Sequence, residues 1–439
     1  MDQTTLSLPW GDGELTLTLP AGWHLAGILK PQTLRAIPDV LEATRQALAN
    51  PIGSPRLRDL VRARHDLKVA LVIDDGSRPT PVAKVLPAVL QELEALGVER
   101  SQITLLPAIG LHRPMSEPEI AQRAGQQAFA GLRWENHDCD DRSRLVFLGT
   151  TSRGTPVYLN RTVAQADLIV SVGCIEPHII ASFGGGCKNL VPGLAGRQTV
   201  AHNHSLNCTP ATFNMVGQSI EQNPMRLDLE EAARLLKPVV FIINVVLDSQ
   251  LEPVRVVTGD PVQAHREGVH VSAMMYGVPV QRPADVVIAA SNPMNQDLRQ
   301  GVKALANTIR LVRQDGVHIT LVRANEGVGV FGLANRKLPL GRRVLKEIAP
   351  LLLRLVPQIK LQGMGEEDRF FLYFALQAMR RARLLMYAPT LPAQVKANLP
   401  FVEFIDSATA ALTEAKRSAG GRAEVLVCPH GGITYPVLH

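Results

Sequence analysis

Two histidines bracket one lysine in the run HIIASFGGGCKNLVPGLAGRQTVAHNH, which spans His178 to His204 and sets Lys188 behind Gly184, Gly185 and Gly186. Histidine exchanges protons near neutral pH. A glycine run lets the backbone come close to a ligand. The segment matches neither familiar phosphate loop. A P-loop lysine is followed by Ser or Thr, where this chain has Asn189, and the G-x-G-x-x-G spacing is absent. A glycine turn with a surface lysine is the plainer reading, but so many special residues in one short span weigh against it.

Other candidates lie elsewhere in the chain. IDDGSRPTP contains Asp74, Asp75 and Arg78. Arginine grips a carboxylate through two parallel hydrogen bonds, so Arg78 reads equally as a substrate anchor or as an internal partner of Asp74 or Asp75. GLHRP offers His112 as an acid or base. AHNHS sets His202 and His204 two apart, which on a strand would put both on one face and suit a metal. With no carboxylate or thiolate close by, a metal there would need ligands from elsewhere. In NQDLRQGVKAL, Gln300 and Lys303 are three apart and share a helix face, either toward a cleft or toward solvent.

Several of these residues follow an apolar run. KVALVIDD, SQITLLPAI and ADLIVSVGCI read as buried strands. Asp74, Asp75, Arg78, His112 and His178 all fall at or just past their ends. Strands alternating with helices give an α/β fold, whose ligands sit at the carboxyl ends of parallel strands. The N-terminal LSLPW-GDG-ELTLTL alternates like a β-hairpin, and TLRAIPDVLEATRQALAN reads as a helix. The alternation breaks near YGVPVQRP and then restarts. Residues 1–276 are therefore expected to form the larger, cofactor-binding and catalytic domain, completed by a tail hairpin over 423–439. Residues 283–418 form a smaller α/β domain, and the active site lies in the cleft between the two.

At 439 residues the chain is long enough for two cores. It is 46% apolar but only 4% aromatic, so aliphatic side chains must fill those cores. The net charge of +6 comes without a basic block, which argues against nucleic acid and fits small anions. Five cysteines without a C-x-x-C pair indicate neither a disulfide framework nor a thiolate zinc site, and suit a reducing cytoplasm. No signal peptide and no membrane-length apolar run is visible.

Together, PIGSPRL, IDDGSRPTP, GLHRP, EPHIIASFGGGCKNLVPG, NHS and NQDLRQGVK resemble the lactate racemase family, the nickel-pincer-nucleotide enzymes. The resemblance covers most of the chain. It implies a two-domain α/β isomerase that racemises or epimerises a 2-hydroxy acid. The implied cofactor is nickel held by pyridinium-3,5-bisthiocarboxylic acid mononucleotide, tethered at Lys188. His204 becomes the nickel ligand, His112 and His178 the acid/base pair, and Arg78, Gln300 and Lys303 the substrate anchors. Asp75, Gly184, Gly185 and Gly186 would flank the nucleotide, and cofactor-maturation enzymes become partners. Dehydrogenase-like or lyase chemistry on the same scaffold, or a non-catalytic nucleotide-binding protein, are the competing readings. Cys187, Arg299 and the absence of tryptophan from EEDRFFLYF depart from the family pattern. Added charge from Arg299 or Arg369 predicts a larger or dianionic substrate than lactate.

Overall fold

The computed structural model describes residues 4–61, 67–329, 331–358 and 365–438. Two six-stranded sheets organise the chain. The first runs in the order Pro253–Gly259, Val239–Leu247, Leu168–Ile175, Val69–Asp74, Ile103–Ala108 and Arg133–Trp134. All its pairings are parallel except that of the outermost strand, Pro253–Gly259. The strands after Val69–Asp74 first extend the sheet to one side, and Leu168–Ile175 then joins on the other. That reversal opens a crevice at the carboxyl ends of these two strands.

The second sheet is entirely parallel, in the order Glu403–Phe404, Ala382–Tyr387, Val312–Leu321, Ala284–Ala290, Ala423–Cys428 and Trp23–Ile28. Its composition departs from the expected division. The N-terminal hairpin forms as read, with Trp10 opposite Gly13. Its buried Leu6, Leu8 and Leu17, however, pack in the core on the outer face of the second sheet. The tail is not a hairpin. Ala423–Cys428 is an inner strand of the second sheet, and Tyr435–Leu438 pairs in parallel with Gly277–Val280. We propose that residues 5–28 and 284–428 build the second domain, with the first domain built on residues 40–276. The helix expected from residue 33 starts only at Val40, because Pro38 resists helix before it and Asp39 caps Glu42 N–H.

Alternation along the strands sorts the cores. Leu71 and Ile73 face the outer helices, whereas Ala70 and Val72 join a cluster reaching Val287, Leu384 and Met386 of the second sheet. The inner faces of both sheets thus share one core, which forms the floor of the site.

Candidate active site

Every predicted site residue except Gly186 lines a single cavity. Asp75, Arg78, His112 and His178 reach it from the ends of Val69–Asp74, Ile103–Ala108 and Leu168–Ile175. Gln300 and Lys303 enter from the opposite side, on the short helices Leu298–Gly301 and Lys303–Thr308. Asp297 caps the first of these by accepting from Gln300 N–H at 2.7 Å. Gln300 Oε1 is buried with no hydrogen-bond partner among the described residues, an acceptor available to a ligand.

Asp75 and His112 form a tight pair. Asp75 Oδ2 lies 2.5 Å from His112 Nδ1, and Ser77 donates to Oδ1 from N at 3.1 Å and Oγ at 2.5 Å. Burial raises the Asp75 pKa, but the bond to His112, the His112 charge and Ser77 outweigh it and hold the carboxyl below its usual range. Asp75, which also lines the cavity, orients the imidazole, so that Nδ1 carries the proton and Nε2 is left unprotonated. Asp74, the other candidate partner of Arg78, binds Arg123 at 2.5 Å.

The sequence reading missed Glu176. This buried carboxylate accepts from Arg78 at 2.8 Å and from Lys303 Nζ at 3.1 and 3.2 Å. It follows Leu168–Ile175 directly, so the argument that singled out His178 could have found it. Burial pushes its pKa up, but Lys303 and Arg78 prevail and hold it below the ordinary glutamate value. The sign follows. Its stabilisation is complete above the unfolded value of about 4.3 and disappears as pH falls through the lower folded value. Glu176→Gln should therefore cost the apoprotein about 3 kcal/mol at neutral pH, since two cations lose their buried counter-charge. Urea denaturation at pH 7 and pH 3 checks this: the penalty should shrink at the lower pH.

His178 Nδ1 accepts from the backbone N–H groups of Ile180 and Ala181, both at 3.2 Å. Its Nε2 lies 2.6 Å from Lys188 Nζ. Burial, then the charges of Lys188, Arg78 and Lys303, push His178 well below the usual histidine range. Lys188 rides the 3-10 turn Gly186–Asn189. Sequence reasoning also missed what braces that turn. Asn244 Oδ1 accepts from Gly186 N at 2.7 Å, His265 Nε2 bonds Gly184 O at 2.8 Å, and the buried Arg226 donates to Gly185 O at 3.2 Å. The glycines are required by these contacts. Gly185 and Gly186 have φ +73° and +62°, and a Cβ would stand 2.7 Å from Asn244 Oδ1 and 2.9 Å from the His265 ring respectively.

His202 and His204 lie on the helix Arg197–Ser205, where residues two apart diverge instead of sharing a face. Only His204, 4% exposed, lines the cavity. His202 turns to Thr155 Oγ1 at 2.8 Å. Among the described residues, the one group of three close metal-ligand side chains, Asp138, Cys139 and Asp140, does not line the cavity. A metal beside His204 would take its other donors from a bound group. All five cysteines are buried thiols outside any disulfide, and burial pushes the Cys187 thiol up to about 12. Cys187 does not line the cavity, so that departure does not touch the substrate side.

Part of the wall is apolar. Phe331, Leu333, Phe374, Leu384, Met386 and Phe401 line it from four segments of the second unit. The Arg299 guanidinium lies 5.6 Å from the centre of the Phe371 ring. Arg369 is not among the lining residues.

An α/β fold with a buried cluster of acid/base and anion-binding groups at strand ends defines an enzyme. A family model described as the lactate racemase N-terminal domain matches residues 10–214. A lactate racemase of Lactiplantibacillus plantarum is 32% identical over 66% of this chain and 68% of its own length. That of Thermoanaerobacterium thermosaccharolyticum is 29% identical over 74% and 76%. The structure of the lactate racemase apoprotein from T. thermosaccharolyticum matches with a TM-score of 0.83 at 26% identity, covering 99% of this chain and 100% of that one. A Thermotoga maritima protein at 16% identity shares the fold, with a TM-score of 0.66 over 91% of this chain and 98% of that one. The chain belongs to the lactate racemase family and is an isomerase. No helix among the described residues is long and apolar enough to cross a membrane.

Proposed function

We propose that this enzyme racemises or epimerises a 2-hydroxy acid, using a nickel-pincer nucleotide tethered at Lys188 and loaded by maturation enzymes. One observation carries the reading: Lys188 Nζ meets His178 Nε2 at 2.6 Å in the cavity that also holds the Asp75–His112 pair and the Arg78–Glu176–Lys303 cluster. His204 is the nickel ligand, supported by its burial against that cavity. When bound, the cofactor would supply an acceptor for the hydride leaving the substrate Cα, so that a Cα–H of very weak acidity need not be deprotonated to a carbanion.

The chain's own residues do the rest. Arg78 and Lys303 bind the substrate carboxylate, exchanging part of their hold on Glu176 for it. Gln300 Oε1 accepts from an ordered water beside the substrate. His112 Nε2, with Asp75 behind it, takes the hydroxyl proton of one enantiomer, and His178 serves its mirror image. Two bases are needed because the hydroxyl approaches from two directions, with a 2-keto acid between them.

The test is holoprotein co-produced with the maturation enzymes and given one enantiomer of a 2-hydroxy acid. Its mirror image should accumulate to a 1:1 mixture, read by chiral chromatography. Net release of a keto acid or of a dehydrated product would reject racemisation. His204→Ala should lose nickel and His202→Ala should keep it, by metal analysis.

A further inference from the structure

On the reading of this site as a 2-hydroxy-acid racemase, we infer that its substrate carries a large apolar side chain, aryl or branched alkyl. The methyl of lactate and the second carboxylate of a dicarboxylic hydroxy acid both fit this cavity less well. The polar groups crowd one end, around Glu176. The same cavity is also lined by Phe331, Leu333, Phe374, Leu384, Met386 and Phe401, each 6% exposed or less.

The wall is built in, since four separate parts of the chain converge on it. Phe331 and Leu333 follow the strand Val312–Leu321, and Phe374 comes from the helix Glu366–Arg381. Leu384 and Met386 share one face of Ala382–Tyr387, while Leu385 turns to the opposite core. Phe401 precedes Glu403–Phe404. A methyl group would leave most of this apolar surface against water or void, whereas a bulky apolar group would cover it.

Polar side chains fit poorly. The residues that line the cavity from this second unit include three polar ones, Arg299, Gln300 and Lys303. Lys303 is held by Glu176, and the Arg299 guanidinium lies against the Phe371 ring. A second carboxylate or a row of sugar hydroxyls would be buried there with too few partners.

The experiment compares enantiopure lactate, malate, 3-phenyllactate and 2-hydroxy-4-methylpentanoate with the holoenzyme. The two bulky acids should exceed lactate in kcat/KM by about 100-fold, and malate should fall below them. Calorimetry on the apoprotein gives a readout independent of the cofactor: 3-phenyllactate should bind at least about tenfold tighter than lactate. Ala375→Trp, which fills the chamber, should lower the 3-phenyllactate to lactate kcat/KM ratio at least about tenfold, in protein whose circular dichroism and Tm show it folded. Preference for lactate or malate in turnover or in binding overturns the inference. If nickel-loaded protein racemises none of the four acids, the proposed function fails instead, and the binding comparison still decides whether the chamber selects bulky apolar groups.

Discussion

Replacing Lys188 by alanine is expected to leave the chain at its apoprotein mass under full maturation and to take racemisation below detection. Intact-mass measurement reads the first outcome and chiral analysis the second. The size of the effect follows from the division of labour. No protein side chain can accept a hydride from the substrate Cα, so losing the tether removes the reaction itself. The fold should survive, because the Gly184–Gly186 turn is braced by Asn244, His265 and Arg226 through the backbone atoms of its glycines. Lys188→Arg sharpens the test. It keeps a cation near His178 but offers no amine for the attachment. An adduct in either variant would place the tether elsewhere. Protein at apoprotein mass with no nickel under competent maturation would remove the basis of the mechanism.

Removing either His112 or His178 is expected to cost about 10³-fold in kcat/KM, in the range of a lost general acid or base. Enantiomers in water have an equilibrium constant of one, so each variant must slow both directions by the same factor. The two losses differ in kind. Each single variant should still convert one enantiomer to a 2-keto acid, up to one equivalent per site, because one base remains on the correct side. His112→Ala and His178→Ala should differ in which enantiomer they accept. Rapid-quench measurement of the keto acid from each pure enantiomer checks this. If both variants prefer the same enantiomer, the two-base assignment is wrong. The two environments also differ. His112 leans on a carboxylate at 2.5 Å, whereas His178 faces two backbone N–H groups and the amine of Lys188. Attachment at Lys188 would turn that ammonium into an uncharged nitrogen and relieve one of the charges that hold His178 down.

Sequence by itself determined where the reactive groups stand along each strand. Apolar runs such as VALVID and LIVSVGCI are local patterns that mark buried parallel strands, and polar residues at their ends must lie at the carboxyl edge of the sheet. Asp75, Arg78, His112 and His178 were legible for that reason, and Lys188 from its glycines. Tertiary structure alone decided the partnerships. Nothing local pairs Asp75 with His112, 37 residues away, or Glu176 with Lys303, 127 residues away. The choice between His202 and His204 needed the helix, since a period of two and a period of 3.6 send the same pair in different directions. The destinations of the N-terminal hairpin and the tail were equally invisible, because one alternating strand fits many sheet edges and the pairing is settled by contacts distant in sequence. The apolar chamber is the fullest case. Its six wall residues lie between 331 and 401 in four segments, each an ordinary core residue, and only packing the two sheets around one core makes them face a common space.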